Sequence, residues 1–152
     1  MNEKIQQIIS KHRSVKGALL PLLHAIQDEI GYIPPNSVDD IAKNLNLSRA
    51  EVHGVITYYH FFRQEAPGKN VVQVCKAEAC QACGAEELMN FAENILGCKE
   101  HETTANGQVT LEPVYCLGMC ASSPAIQVGE QIHARMNTDK LKKVLEKIGG
   151  TK

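Results

Sequence analysis

The chain has 152 residues, 43% of them hydrophobic and 22% charged, and its sixteen Lys and Arg against seventeen Asp and Glu leave a formal net charge of −1. That apolar content is enough for a buried core and excludes a disordered chain, while the charge balance removes the global positive field that draws proteins to nucleic acid or acidic lipid. The longest apolar stretch, Gly17 to Leu23, falls far short of the roughly 20 residues of a membrane helix, so no direct membrane contact is expected. Met1 to Arg13 mixes charged and apolar residues with no continuous apolar run before a small-residue cleavage site, which points to a cytoplasmic protein.

Helical periodicity is expected at about 3–12, 16–30, 37–45 and 49–62. Leu19, Leu20, Leu22, Leu23, Ile26 and Ile30 make a wide apolar face that Gly31, Pro34 and Pro35 bring to an end. Ser48 and Glu51 form a capping-box pattern ahead of Val52, Val55, Ile56 and Tyr59, which share one face, so these two helices can pack together. Gln64 to Asn70 contains Ala66, Pro67 and Gly68 and reads as a linker. It separates a helical domain, residues 1–67, from a second domain, residues 70–152. In the latter, Val71 to Val74 reads as a buried strand and Ala85 to Leu96 as a helix facing inward through Leu88, Phe91, Ala92 and Ile95, with Gly97 closing it. Val109 to Tyr115 alternates as a strand, Ala125–Val128 and Gln131–Ala134 flank Gly129 and Glu130 as a hairpin, and Leu141, Val144, Leu145 and Ile148 mark a last helix. The order β, α, β, β, β, α defines an α/β (α+β) domain. A thioredoxin-like sandwich, its sheet covered by two helices, fits that order, as other α/β folds also do.

All six cysteines lie between positions 75 and 120. In a chain without a secretory signal that clustering points to metal or redox chemistry rather than to a disulfide framework. Cys75 ends the first strand and Cys80 follows after four residues; Cys116 ends a later strand and Cys120 follows after three. Two strand-end loops thus offer four thiolates, the donor set that an iron-sulfur cluster prefers, in loops whose free backbone N–H groups can hydrogen-bond the sulfurs, with Gly118 easing the second loop. The same thiols permit other uses. A four-cysteine zinc site tolerates these spacings. Cys80 and Cys83 form a C-x-x-C ahead of a helix, where the macrodipole would favour thiol-disulfide exchange. Cys75, Cys80 and Cys83 also reproduce the plant-type ferredoxin spacing, with Cys116 as fourth ligand and Cys120 left idle.

Other candidates carry less. Cys98 and His101 form a C-x2-H without a second pair and read as a surface thiol after a helix. His12, His24, His53, His60 and His133 are dispersed and read as packing or surface residues. Tyr58, Tyr59, Phe61 and Phe62 read mainly as helix packing, with a partner surface as the lesser reading. No triad, no paired acids and no Gly-rich dinucleotide fingerprint occur, so no catalytic residue is expected and NAD and flavin are expected on another chain.

The segments CKAEACQACG (75–84) and EPVYCLGMCASSPAIQV (112–128) resemble the thioredoxin-like 2Fe-2S subunit that accompanies the NADH-oxidising flavoprotein in respiratory complex I, NAD-reducing hydrogenases and soluble NAD-dependent formate dehydrogenases. GALLPLLHAIQDEIGYIP (17–34) and VHGVITYYHFF (52–62) look like the helical segment that precedes the cluster domain in that family, so the resemblance covers nearly the whole chain. Residues 75–84 together with HETTANGQVTLEPVYCLGMC (101–120) are most similar to the formate dehydrogenase gamma subunit. The resemblance implies that Cys75, Cys80, Cys116 and Cys120 hold one 2Fe-2S cluster. It also implies that a partner flavoprotein carries FMN and NAD, that a molybdenum or tungsten subunit oxidises formate, and that this chain only transfers electrons. The equivalent subunit of NADH:quinone oxidoreductase or of a NAD(P)-reducing hydrogenase is the alternative of the same class. A zinc-stabilised assembly subunit, or a thiol-disulfide oxidoreductase using Cys80 and Cys83, is the alternative of another. Two positions depart from the family pattern: Cys83 stands where it generally has no ligand, and Ser123 stands before Pro124 where Ala is common.

Overall fold

The computed structural model describes residues 2–150; the outermost ends of the expected domains, residue 1 and residues 151–152, lie outside the described residues. The chain divides into two compact units, Met1–Ala66 and Pro67–Lys152.

Among the described residues the first unit holds four α-helices: α1 (Asn2–His12), α2 (Leu19–Ile30), α3 (Val38–Leu45) and α4 (Arg49–Tyr58). Helix α2 begins at Leu19 rather than at 16 because Pro21, with no N–H to give, is accommodated only in a first turn. Gly31, at a φ of 92°, ends it by donating its N–H to the Gln27 carbonyl. A 3-10 turn, Pro35–Ser37, leads into α3. Ahead of α4 the capping box forms in both directions, the Ser48 side chain accepting from the Glu51 N–H and the Glu51 carboxylate accepting from the Ser48 N–H. Leu22, Leu23, Ile26, Ile41, Val52 and Ile56 are buried together in one core.

Helix α4 stops at Tyr58, four residues before its expected end. The buried side chain of Gln27 explains the stop: Nε2 donates to the Phe61 carbonyl at 2.7 Å, and Oε1 accepts from the Arg63 N–H at 2.8 Å. The Arg63 carbonyl in turn accepts from the Ile33 N–H at 2.7 Å. A helix continued past Tyr59 would turn the Arg63 N–H onto the Tyr59 carbonyl, in competition with Gln27 Oε1 for that donor. The aromatic cluster is divided as a result. Phe62 is buried, whereas Tyr58 is 76% exposed and Tyr59 and Phe61 also stand out from the surface, so helix packing accounts for only one of the four rings.

The second unit is a four-stranded mixed sheet in the order β2-β1-β3-β4, built from β1 (Asn70–Cys75), β2 (Val109–Val114), β3 (Ile126–Val128) and β4 (Gln131–His133). β1 pairs in parallel with β2, from Asn70 opposite Val109 to Cys75 opposite Val114, and antiparallel with β3. A parallel pair needs a long crossover. It is supplied by a short helix α5 (Glu78–Ala82), which periodicity did not reveal, and by α6 (Ala85–Leu96). The last helix, α7 (Thr138–Lys147), starts at an N-cap where the Asn137 side chain accepts from the Lys140 N–H. Val72, Val74, Leu111 and Ile126 pack with Leu88 and Ala92 of α6 and Leu141 and Leu145 of α7, so both helices cover the same face of the sheet. Gln73, Glu112 and Gln127 take the opposite parity in the register. Pro113, which has no ladder N–H, is tolerated because β2 is an edge strand. Residues 101–104 run along that edge, with a bridge between Thr103 and Thr110.

The Gln27 clamp has a measurable cost when broken. Gln27→Leu leaves the Phe61 carbonyl and the Arg63 amide without their side-chain partner, and a loss of about 1–3 kcal/mol is expected for such groups. Urea unfolding of the variant beside the wild type measures it, and an unchanged midpoint would refute the clamp.

Candidate metal centre

Because β1 and β2 are parallel and in register, their C-terminal ends lie side by side, and the segments that follow emerge at one end of the sheet. The Lys76 N–H donates to the Val114 carbonyl at 2.8 Å, which holds the two exits together. The antiparallel β3 begins at the same end, where the Cys75 N–H donates to the Ala125 carbonyl at 3.0 Å. Cys75, Cys80, Ala85 and Ala125 form a small buried cluster there, with Val114, Leu117 and Met119 packed against it.

Each expected ligand sits on a different local support. Cys75 is the last residue of β1 and is buried. Cys80 is buried in the middle of α5, not in a loop as expected. Cys116 lies two residues beyond the end of β2, not at its end, because its φ of 90° is incompatible with an extended strand. Cys120 opens a 3-10 turn, Cys120–Ser122, and both Cys116 and Cys120 are exposed. The Cys116 and Cys120 sulfurs are 3.8 Å apart, and the Cys75 and Cys80 side chains are neighbours in one buried cluster. The four sulfurs therefore stand as two pairs, and among the described residues no group of three or more His, Cys, Asp and Glu side chains is placed to hold a single ion.

The backbone around these sulfurs is arranged for negative charge. The backbone amides of Ala77, Cys116 and Leu117 lie around Cys75 Sγ and favour its thiolate form. Two of the three come from the second loop, and the left-handed conformation of Cys116 turns its own amide and the next one toward that sulfur. Successive N–H groups converging on one point make an anion-binding nest, and a non-glycine residue at positive φ is a local cost that these contacts offset. Gly118, at a φ of 74°, donates its N–H to Cys116 Sγ at 3.4 Å. Burial pushes the Cys75 thiol up, but the three amides and the Cys80 thiol together hold it below the ordinary thiol value. Burial dominates at Cys80 and raises it, offset in part by the Ser123 hydroxyl and the Ala125 amide. The neighbouring Cys116 raises Cys120, first through their hydrogen bond and then through charge. The residues fit a thiolate-ligated cluster: four sulfurs, from the end of β1, from α5 and from the segment after β2, stand at one end of the sheet among backbone amides.

The rival sulfurs behave differently. Cys83 is exposed at the C-terminal cap of α5, and Gly84 separates it from α6. Cys80 is not at a helix N-terminus and its thiol is raised, so the electrostatic basis for exchange chemistry at this C-x-x-C is reversed. Cys98, expected at the surface, is only 8% exposed and packs in the core of the second unit. Gly97, at a φ of 67°, turns the chain inward immediately before it. Its thiol is raised by burial, with the carboxylates of Glu102 and Glu93 adding to the effect, while His101 stays exposed. Ser123, marked in the sequence only as a departure from the family pattern, places its hydroxyl 3.5 Å from Cys80 Sγ, a proximity that no sequence pattern signals. The Ser123–Pro124 bond is cis.

A mixed sheet carrying paired cysteine loops at one end defines a ferredoxin-type domain. The chain matches the thioredoxin-like [2Fe-2S] ferredoxin family over residues 5–149 and belongs to it. The expected α/β (α+β) thioredoxin-like fold with preceding helices is thereby met. Over 146 residues, 96% of this chain and 87% of the relative, it is 33% identical to a NADH-quinone oxidoreductase subunit of Rhizobium meliloti. It is also 33% identical to a NADH-quinone oxidoreductase subunit of Aquifex aeolicus, covering 97% of this chain and 92% of that protein. The NADP-reducing hydrogenase subunit HndA of Solidesulfovibrio fructosivorans is 28% identical, over 93% of this chain and 86% of its own length. Among solved structures, a chain of a NAD+-reducing [NiFe]-hydrogenase in the air-oxidized state superposes with a TM-score of 0.69 at 18% identity. That superposition covers 84% of this chain and 22% of the hydrogenase chain, and it shows a shared fold.

These environments predict an order of thiol reactivity in metal-free protein. The exposed Cys83 and Cys116 should alkylate first at neutral pH, and Cys98, buried and raised, should alkylate last and only on unfolding. Mass spectrometry of a timed iodoacetamide reaction measures this. Early modification of Cys98 would contradict its placement in the core.

Proposed function

We propose that this chain is the electron-transfer subunit of a complex that exchanges electrons with NADH or NADPH, and that Cys75, Cys80, Cys116 and Cys120 hold its one 2Fe-2S cluster. The observation that carries this reading is the in-register parallel pairing of β1 and β2, held at its end by the Lys76 N–H on the Val114 carbonyl, because it brings Cys75 and Cys80 to the same end of the sheet as Cys116 and Cys120, whose sulfurs are 3.8 Å apart. Residues 70–152 form the cluster domain in this reading and residues 1–67 the helical domain. When bound, such a cluster supplies a one-electron site, which suits it to stand beside a flavin that takes up hydride as an electron pair. The chain's own residues provide the thiolates, the amides that stabilise their charge, and a second loop whose sulfurs are exposed toward a partner. FMN and NAD then belong to a partner flavoprotein subunit, and the assembly is cytoplasmic. Among the described residues no helix is long and apolar enough to cross a membrane.

The relatives support an NADH:quinone oxidoreductase or NAD(P)-reducing hydrogenase as the parent assembly, since their names are of those two kinds. Formate dehydrogenase, with a molybdenum or tungsten subunit, has the support of the segments 75–84 and 101–120 alone. Complex isolated through a tag on this chain distinguishes them: formate should leave the bound iron-sulfur centres oxidised, and their bleaching by formate would restore the formate dehydrogenase reading.

Anaerobically loaded chain should contain two iron and two sulfide, and one zinc without sulfide would refute the cluster. Cys83→Ala should retain the visible absorbance. Cys120→Ala should lose most of the cluster or hold it only transiently, because water or a carbonyl replaces a thiolate poorly. The reverse outcome, a colourless Cys83→Ala beside a fully loaded Cys120→Ala, would transfer the fourth ligand to Cys83.

A further inference from the structure

Ser123 stands half-buried where the two cysteine loops meet. Its Oγ lies 3.5 Å from Cys80 Sγ and 2.9 Å from the carbonyl oxygen of Cys120. The backbone on either side is pinned: the Ser122 carbonyl accepts from the Arg135 N–H at 2.8 Å and the Pro124 carbonyl from the Met136 N–H at 2.9 Å. The hydroxyl is therefore fixed in place but free to rotate its proton.

With Cys80 protonated, the thiol donates to Ser123 Oγ and the hydroxyl donates to the Cys120 carbonyl. A metal-bound Cys80 has lost its proton and its sulfur only accepts, so the Ser123 hydroxyl becomes the donor across the same gap. An anionic sulfur attracts that proton more strongly than a neutral carbonyl does. We propose that Ser123 is a positioning residue that raises the reduction potential of the bound cluster, by donating its hydroxyl hydrogen bond to the Cys80 thiolate. The inference rests on the assignment of Cys80 as a ligand. Reduction adds one electron and breaks no bond; the added negative charge spreads onto the sulfurs, and a donor aimed at one of them stabilises the reduced form more than the oxidised form. Ala, common at this position in the family that the sequence resembles, keeps the turn but supplies no donor.

The test is a redox titration of full-length protein with its cluster reconstituted anaerobically, comparing wild type, Ser123→Ala and Ser123→Thr at equal iron and sulfide content. At a fixed ambient potential near the wild-type midpoint, Ser123→Ala should lower the reduced-to-oxidised ratio by about threefold to tenfold, the size of one ordinary hydrogen bond, tenfold being about 59 mV for one electron. Ser123→Thr, which retains the hydroxyl, should stay within about twofold of the wild type on the same hydrogen-bond scale. The iron-sulfur stretching bands should also shift on transfer to D2O by more in the wild type than in Ser123→Ala. If the Ala variant does not load, Ser123→Gly removes the same hydroxyl and replaces it in the comparison. A loaded Ala or Gly variant with an unmoved ratio, or a Thr variant displaced as far as Ala, overturns the role of Ser123 and leaves the ligand assignment standing. Wild-type protein that binds no iron and sulfide overturns the ligand assignment itself, and the inference with it.

Discussion

In-register parallel pairing of β1 with β2 is the constraint on which the site depends. It places Val114 opposite Cys75, so the second cysteine loop starts where the first strand ends. Every later contact presupposes this. The amides of Cys116 and Leu117 reach Cys75 Sγ only from there, and β3 returns antiparallel to the same end of the sheet, bringing Ala125 to Cys80 and Ser123 between the loops. The register is in turn held by side chains remote from sulfur. Val72, Val74 and Leu111 must all face α6 and α7, and a slip of one residue would turn them to the other side of the sheet and the cysteines with them.

The site combines two kinds of support. Cys75 and Cys80 are buried and held by a strand and a helix, whereas Cys116 and Cys120 are exposed on a loop and a 3-10 turn. The buried pair has the rigidity, and the exposed pair the access. An unusual backbone angle at Cys116 connects them, because it lets an exposed loop residue serve a buried sulfur with its N–H.

Much of this was legible in the sequence where a pattern has a local cause. The capping box at Ser48 and Glu51, the glycine stops at Gly31 and Gly97, the hairpin around Gly129 and Glu130, and the paired cysteine spacings each express short-range chemistry. What was not legible has its cause at long range. Gln27 ends α4 from 34 residues away, and nothing between Tyr58 and Phe62 signals it. Helix α5 is too short to show a period, so Cys80 read as a loop residue. Cys98 read as a surface thiol because the inward turn at Gly97 depends on the core that receives it. The positive φ of Cys116 is invisible to a side-chain pattern, since the groups it redirects are backbone amides.

The two edges of the sheet differ in a way that limits how another protein can attach. Residues 101–104 already occupy the outer side of β2 through the Thr103–Thr110 bridge, and β4 has only three residues between its turn and the bend toward α7. An extended peptide seeking to add itself as a further strand finds one edge taken and the other too short for more than a brief ladder. Strand addition is thereby disfavoured as a way of recognising this unit, which leaves contacts made through side chains and loops. Such surfaces carry specificity without offering a template for uncontrolled stacking of sheets.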